Sequence, residues 1–149
     1  MGNALVSEFV RNNARGRHDP DAIPRMSRML LVDKSIKDIN VKDSTLSDYT
    51  ALHYQAQYGT RGSVAWLLRQ DPPPNIEVRT SSYQATPLMQ AALSDEDSEG
   101  KVRLLLDHGA NRDLKDTCGR TAVDIARGEC NKKTAVIDML VNYRPDVSR

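Results

Sequence analysis

The stretch Ala85-Thr86-Pro87-Leu88-Met89-Gln90-Ala91-Ala92, followed after an acidic insert by Val102-Arg103-Leu104-Leu105-Leu106-Asp107-His108-Gly109-Ala110-Asn111, limits this chain more than any other. Thr86 offers a hydroxyl where a helix N-cap needs one, and Pro87 stands at the first helical position, where no N–H is required and a fixed φ helps. Ala91 and Ala92 would let a neighbouring helix approach closely, and Leu104, Leu105 and Leu106 supply the apolar side of a second helix. Gly109 then ends that helix in the left-handed conformation that a residue without a Cβ adopts freely. Thirty-six residues before Thr86 the chain reads Thr50-Ala51-Leu52-His53, then Gly59, then Val64-Ala65-Trp66-Leu67-Leu68. Thirty-five after it come Thr121-Ala122-Val123-Asp124-Ile125-Ala126 and then Val136-Ile137-Asp138-Met139-Leu140-Val141. One helix-pair unit is therefore present three times.

A period in the low to mid thirties, with a capped short helix, a turn, a leucine-rich helix and a Gly-Ala-Asn exit, resembles the ankyrin repeat. The middle copy matches best, through Thr86-Pro87-Leu88 and Gly109-Ala110-Asn111, with about two extra residues between its helices. The resemblance implies an all-α fold, an ankyrin-type helical solenoid of stacked helix-turn-helix repeats joined by short hairpin loops. It divides the chain into a degenerate opening unit at 21–43 and repeats at about 44–80, 81–115 and 116–143. Residues 1–20 would be a cap or a loose tail, and 144–149 a polar tail.

Charge and cysteine usage narrow the function. Lys and Arg total 21 against 20 Asp and Glu, a net charge of +1 that gives no field to attract nucleic acid or anionic lipid. The longest aliphatic run, Met29 to Val32, is far too short to span a membrane, and Ser7, Glu8 and Arg11 interrupt any secretory signal. Gly2 invites N-myristoylation, but Val6 stands where that motif wants Ser or Thr. Cys118 and Cys130 are too few for a disulfide framework and suit a reducing compartment, so a cytoplasmic or nuclear address is expected.

Two departures from the repeat pattern stand out. Gln55 takes a place that is usually small and apolar, and Asp71-Pro72-Pro73-Pro74 replaces the Gly-Ala that normally closes the outer helix. The insert Ser94-Asp95-Glu96-Asp97-Ser98-Glu99-Gly100 is expected to be a solvated turn whose acidic residues favour the positive end of the following helix.

No catalytic constellation emerges. His53 falls where the ankyrin pattern carries Thr-Pro-Leu-His, and there the resemblance implies a histidine that hydrogen-bonds the hairpin and helix start. Met89 and Asp124 hold the equivalent places, so those units must satisfy the same groups differently. Cys118, Cys130 and His108 match no zinc spacing. Asp95, Asp97, Glu99 and Gly100 imitate the start of a calcium loop, but Leu106 stands where the closing bidentate Glu belongs. Gly59-Thr60-Arg61-Gly62 is too short to cradle a phosphate. Neither a metal nor a cofactor is expected.

What remains is surface. In the ankyrin family the hairpin tips and inner helices form a concave face that docks protein partners. The positions that correspond here are Leu46, Ser47 and Tyr49 on the first tip, Ser82, Tyr83 and Ala85 on the second, and Thr117, Cys118 and Arg120 on the third. Gln57, Tyr58, Leu93 and Ser94 end the inner helices on the same side. Trp66, beside Leu67 and Leu68, is expected to be partly buried between helices. The expected function is a non-catalytic protein-protein interaction module, an adaptor or an inhibitor, acting as a monomer or in a hetero-complex. A structural subunit presenting the apolar flank 134–143, or an enzyme with a pocket near His53 and Asp124, are the alternatives.

Overall fold

The computed structural model describes residues 38–42, 47–128 and 133–145. Leu46, Cys130, the opening unit as far as residue 37 and the tail from 146 lie outside the described residues.

Four threonines start helices, and each is answered by the side chain three residues on. Thr50 opens α1 (Ala51–Tyr58), with its N–H donating to His53 Nδ1 at 3.2 Å. Thr60 opens α2 (Arg61–Leu68), accepting from Ser63 N at 3.2 Å while its own N–H donates to Ser63 Oγ at 3.1 Å. Thr86 opens α3 (Pro87–Leu93), with Pro87 in the first turn and the Met89 sulfur 3.5 Å from the Thr86 N–H. Ahead of α5 (Ala122–Gly128), Thr121 donates its N–H and its hydroxyl to Asp124 Oδ2 at 3.0 and 2.9 Å. An imidazole, a hydroxyl, a thioether and a carboxylate thus do the same work: each accepts from the N-cap N–H, a group that the helix itself cannot satisfy.

The remaining helices among the described residues are α4 (Ser98–Asp107) and α6 (Thr134–Asn142). The insert before α4 is only partly a turn. Asp97 becomes an N-cap at φ 42°, accepting from Gly100 N at 3.3 Å, and the helix starts at Ser98, within the stretch expected to be solvated turn. Ser98 Oγ donates to Ala91 O at 2.6 Å, which ties the new helix start to the end of α3.

The helices form two layers. α1, α3 and α5 stack as an inner row, α2, α4 and α6 as an outer row, and each outer helix also packs on its inner partner. Ala56, Ala91, Ala92 and Ala126 are fully buried, which lets the inner row close up, and Val64, Leu67, Val102, Leu105 and Leu140 fill the space between rows. Trp66 lies partly buried against this core. Buried Gln55 carries a cost in its unusual place, since its Oε1 has no hydrogen-bond partner.

The exits of α2, α4 and α6 differ in sequence, yet each supplies donors to late helix carbonyls. At α4, Gly109 has φ +89°, Ala110 N donates to Leu105 O at 3.0 Å and Gly109 N to Leu106 O at 2.9 Å. At α2, where prolines replace the glycine, the Gln70 amide donates to Trp66 O at 2.8 Å. At α6 the cap comes from an earlier exit loop: Arg112 Nη1 donates to Leu140 O at 2.8 Å and Val141 O at 3.1 Å. The second and third loops close in parallel ways. Thr80 exchanges main-chain and hydroxyl hydrogen bonds with Ala85, and Asp116 does the same for Arg120 through its carboxylate. Among the described residues no strand forms in these loops.

Candidate functional site

The tips of successive loops are joined in a row. Ser81 N donates to Ser47 O at 2.8 Å, and Thr117 N to Tyr83 O at 2.9 Å. Ser82 Oγ donates to Ser47 Oγ, and Arg79 Nη1 spans the second and third loops by donating to Gln84 O at 2.9 Å and Lys115 O at 2.8 Å. Each tip is thereby held at a fixed offset from the next. Behind the row, His53 Nε2 lies 3.1 Å from Ala85 O, so the imidazole joins one helix start to the next loop. Because Nδ1 accepts from the Thr50 N–H, the proton is assigned to Nε2, which donates to that carbonyl. Burial pushes the His53 pKa down to about 4, so the ring is neutral at physiological pH.

This scaffold gathers a set of phenols. Tyr49 stacks at a tilt on His53, with centroids 5.4 Å apart, and on Tyr54 at 5.0 Å. Its oxygen accepts from Gln90 Nε2 at 2.9 Å. Burial raises the Tyr49 pKa, the neighbouring Tyr58 phenol adds to the rise, the Gln90 hydrogen bond opposes it, and Tyr83 contributes least. Tyr49 therefore lies within electrostatic reach of Tyr58 and Tyr83. Tyr58 is 49% exposed and Tyr83 61% exposed, so both phenols reach solvent.

Arg120 completes the set. Its Nε donates to Asp116 Oδ2 at 3.0 Å and its Nη2 lies 2.9 Å from the same oxygen, which fixes the plane of a guanidinium that also feels Tyr83. Burial alone would raise the Asp116 carboxyl, but hydrogen bonds from the Arg120 backbone, the Arg120 side chain and the Cys118 backbone hold it below the usual carboxylate range.

The residues singled out in the sequence separate into three groups. Tyr58, Ser82, Tyr83, Thr117, Cys118 and Arg120 are exposed on the tips and the end of α1, with Ser47, Tyr49 and Gln57 half-buried among them. Leu93 is half-buried and turns onto the core. Ala85 and Ser94 are buried, at 8% and 2% exposure, and present no surface. Ala85 is covered because its N–H and C=O close the loop onto Thr80, and Ser94 because Lys101 and Lys133 reach over it.

Those two lysines were not visible as structural residues in the sequence. Lys101 is 0% exposed; its Nζ donates to Gly59 O at 2.9 Å and to Ser94 Oγ. Lys133 Nζ donates to Ala92 O at 3.0 Å and Ser94 O at 2.7 Å. Each fastens an outer helix to the C-terminal end of the preceding inner helix, where carbonyls favour a cation. The one hint was that Lys101 immediately precedes Val102, at the place that Ser63 takes before Val64. On the outer surface Arg61 pairs with Asp97 at 2.8 Å, an exposed contact of small energetic weight. Among the described residues no group of three or more His, Cys, Asp or Glu is arranged to hold a metal ion, and no helix is long and apolar enough to cross a membrane.

Helix pairs stacked at a constant offset, each burying its neighbour's apolar flank, define a helical solenoid repeat protein. The family model described as ankyrin repeats matches residues 24–116 in three copies, more than half the chain, and the protein belongs to the ankyrin-repeat family. The helix pair α5–α6 lies beyond the matched stretch. No curated protein matches the sequence. Ankyrin repeats are generally protein-protein interaction modules.

Proposed function

We propose that this protein is a non-catalytic interaction module that acts as an adaptor or an inhibitor by docking a partner on the hairpin-tip side of the inner helices. The observation that carries this reading is the row of tied tips with Tyr49, Tyr58, Tyr83 and Arg120 beside it. Tyrosine and arginine on a rigid support are residue types that anchor interfaces, since they add contact area at little entropic cost. Tyr83 and Tyr58 carry no core packing, so their exposure serves nothing in the fold itself. A reducing compartment, cytoplasmic or nuclear, fits the free thiol of exposed Cys118.

Affinity capture with the intact protein tests the reading. The double substitution Tyr58→Ala and Tyr83→Ala should abolish partner capture while thermal stability stays within about 0.5 kcal/mol, as expected for exposed positions. Full retention of the partner by that variant would move the docking face elsewhere. A second reading, a structural subunit, rests on Val141, 49% exposed on α6 beside partly buried Ile137. Sedimentation showing an obligate oligomer that Val141→Glu dissociates would favour it.

A further inference from the structure

The tip face carries hydrogen-bond donors that are unspent and acceptors that are not. Asp116 is almost inaccessible and accepts from Cys118 N at 2.8 Å, Arg120 N at 2.9 Å and Arg120 Nε at 3.0 Å. Asp124 Oδ2 is occupied by the Thr121 N–H and hydroxyl. Asp48 and Glu77 line a 430 Å³ cavity between the first two loops together with the cations Lys42 and Arg79, and Glu77 Oε1 also accepts from Asn111 N at 2.6 Å. The carboxylates bordering the face are therefore already matched by donors or faced by cations.

The donors are in the opposite condition. Arg120 grips Asp116 through Nε and Nη2 and is 53% exposed, so its Nη1 corner is available and its orientation is already fixed. Lys115 is exposed at the base of the same tip, and its charge reaches Asp124. Half-buried Tyr49 accepts from Gln90, no acceptor among the described residues takes its own O–H, and the phenols of Tyr58 and Tyr83 are exposed. At the other end of the inner helices, the turn before α4 carries Asp95, Glu96 and Asp97, and Glu99 follows in the first turn of α4, a group that would repel a negative ligand.

We propose that the segment bound on the tip face is acidic: a stretch of a partner protein whose aspartate or glutamate carboxylates take the free edge of Arg120, the Lys115 ammonium and the phenolic protons of Tyr49 and Tyr83. The inference rests on the tip-face docking reading above and names the chemistry of its occupant. A pre-oriented guanidinium loses little entropy on accepting a second carboxylate, so Arg120 sets the register and the phenols cover the backbone between acidic side chains.

The test is fluorescence anisotropy of the intact protein with three labelled twelve-residue peptides of equal length: one rich in Glu and Asp, one with Gln and Asn at those places, and one with Lys. The acidic peptide should bind most tightly and weaken as salt is raised. Arg120→Ala and Lys115→Ala should each weaken it roughly two- to fivefold, whereas Arg61→Ala, on the outer surface, should leave it unchanged. Asp116 keeps its two backbone donors in Arg120→Ala, and Arg120→Gln serves as a second variant if the first unfolds. Equal affinity for the acidic and the amide peptides, or acidic binding indifferent to both Arg120 and Lys115, overturns the inference. If no acidic peptide binds while Tyr58→Ala with Tyr83→Ala still abolishes partner capture, the acidic assignment fails and the tip-face reading survives.

Discussion

Lys101 makes the fold sensitive to pH in a direction opposite to ordinary alkaline denaturation. Its ammonium is wholly inaccessible and holds the Gly59 carbonyl and the Ser94 hydroxyl, with no carboxylate among its hydrogen-bond partners. Burial is the main cause that lowers its pKa from 10.5 to about 8, with Lys133 adding a little and Asp97 and Glu96 opposing. The folded state therefore releases this proton before the unfolded chain does, and between about pH 8 and 10.5 the unfolded chain binds more protons. Stability rises with pH in that window. A tenfold change in proton affinity is worth about 1.4 kcal/mol, so the full difference is about 3 kcal/mol, and the part gained between pH 7 and pH 9.5 is about 2 kcal/mol. The assay is urea denaturation of the wild type and of Lys101→Met across that range, subtracting one from the other so that other titrations cancel. Methionine removes the buried charge but leaves the Gly59 carbonyl and the Ser94 hydroxyl without their donor, costs of about 1–3 kcal/mol each that roughly offset. The two proteins should be close in stability at pH 7, with the wild type gaining about 2 kcal/mol over the variant by pH 9.5. A difference that is flat or falls with pH would refute the reasoning.

His53 should stay neutral well below the usual histidine range, with an NMR titration midpoint at about 4, and its contribution to stability should be lost as pH falls from 6.5 through that value. A midpoint near 6.5 would contradict the buried Thr50–His53–Ala85 link. Gly109→Ala should destabilise by about 1–2 kcal/mol, because a Cβ there meets no atom within 4 Å and only the left-handed φ of +89° opposes it. Leu105→Ala, at the centre of the stack, should cost about 2–5 kcal/mol, seen as a lower urea midpoint with the slope unchanged.

The fold was legible in this sequence because its strongest signals are local and recur. Thr86-Pro87 and Gly109 place a helix start and a helix end from backbone chemistry alone, and a constant offset converts one unit into a stack. The site was less legible because the decisive contacts follow no helix period, some spanning a single loop and others reaching the next repeat. Ser94 reads as an exposed polar residue after a helix, yet two lysines converge on it from later helices. Ala85 occupies a tip position by register, but a loop closed by Thr80 pulls it inward. The acidic insert shows why composition misleads at boundaries: Asp97 is a helix cap, and the four residues from Ser98 to Lys101 belong to α4 despite their polarity.

The first and second tips are held by the Ser81–Ser47 main-chain bond, and the second and third by the Thr117–Tyr83 one. An amide linkage of this kind is indifferent to the side chain that leaves its Cα. Substitution at positions 83 or 117 can therefore change the surface that the tips present without changing the spacing between them, whereas Ser47, at φ 57°, is held to residues that accept a left-handed backbone.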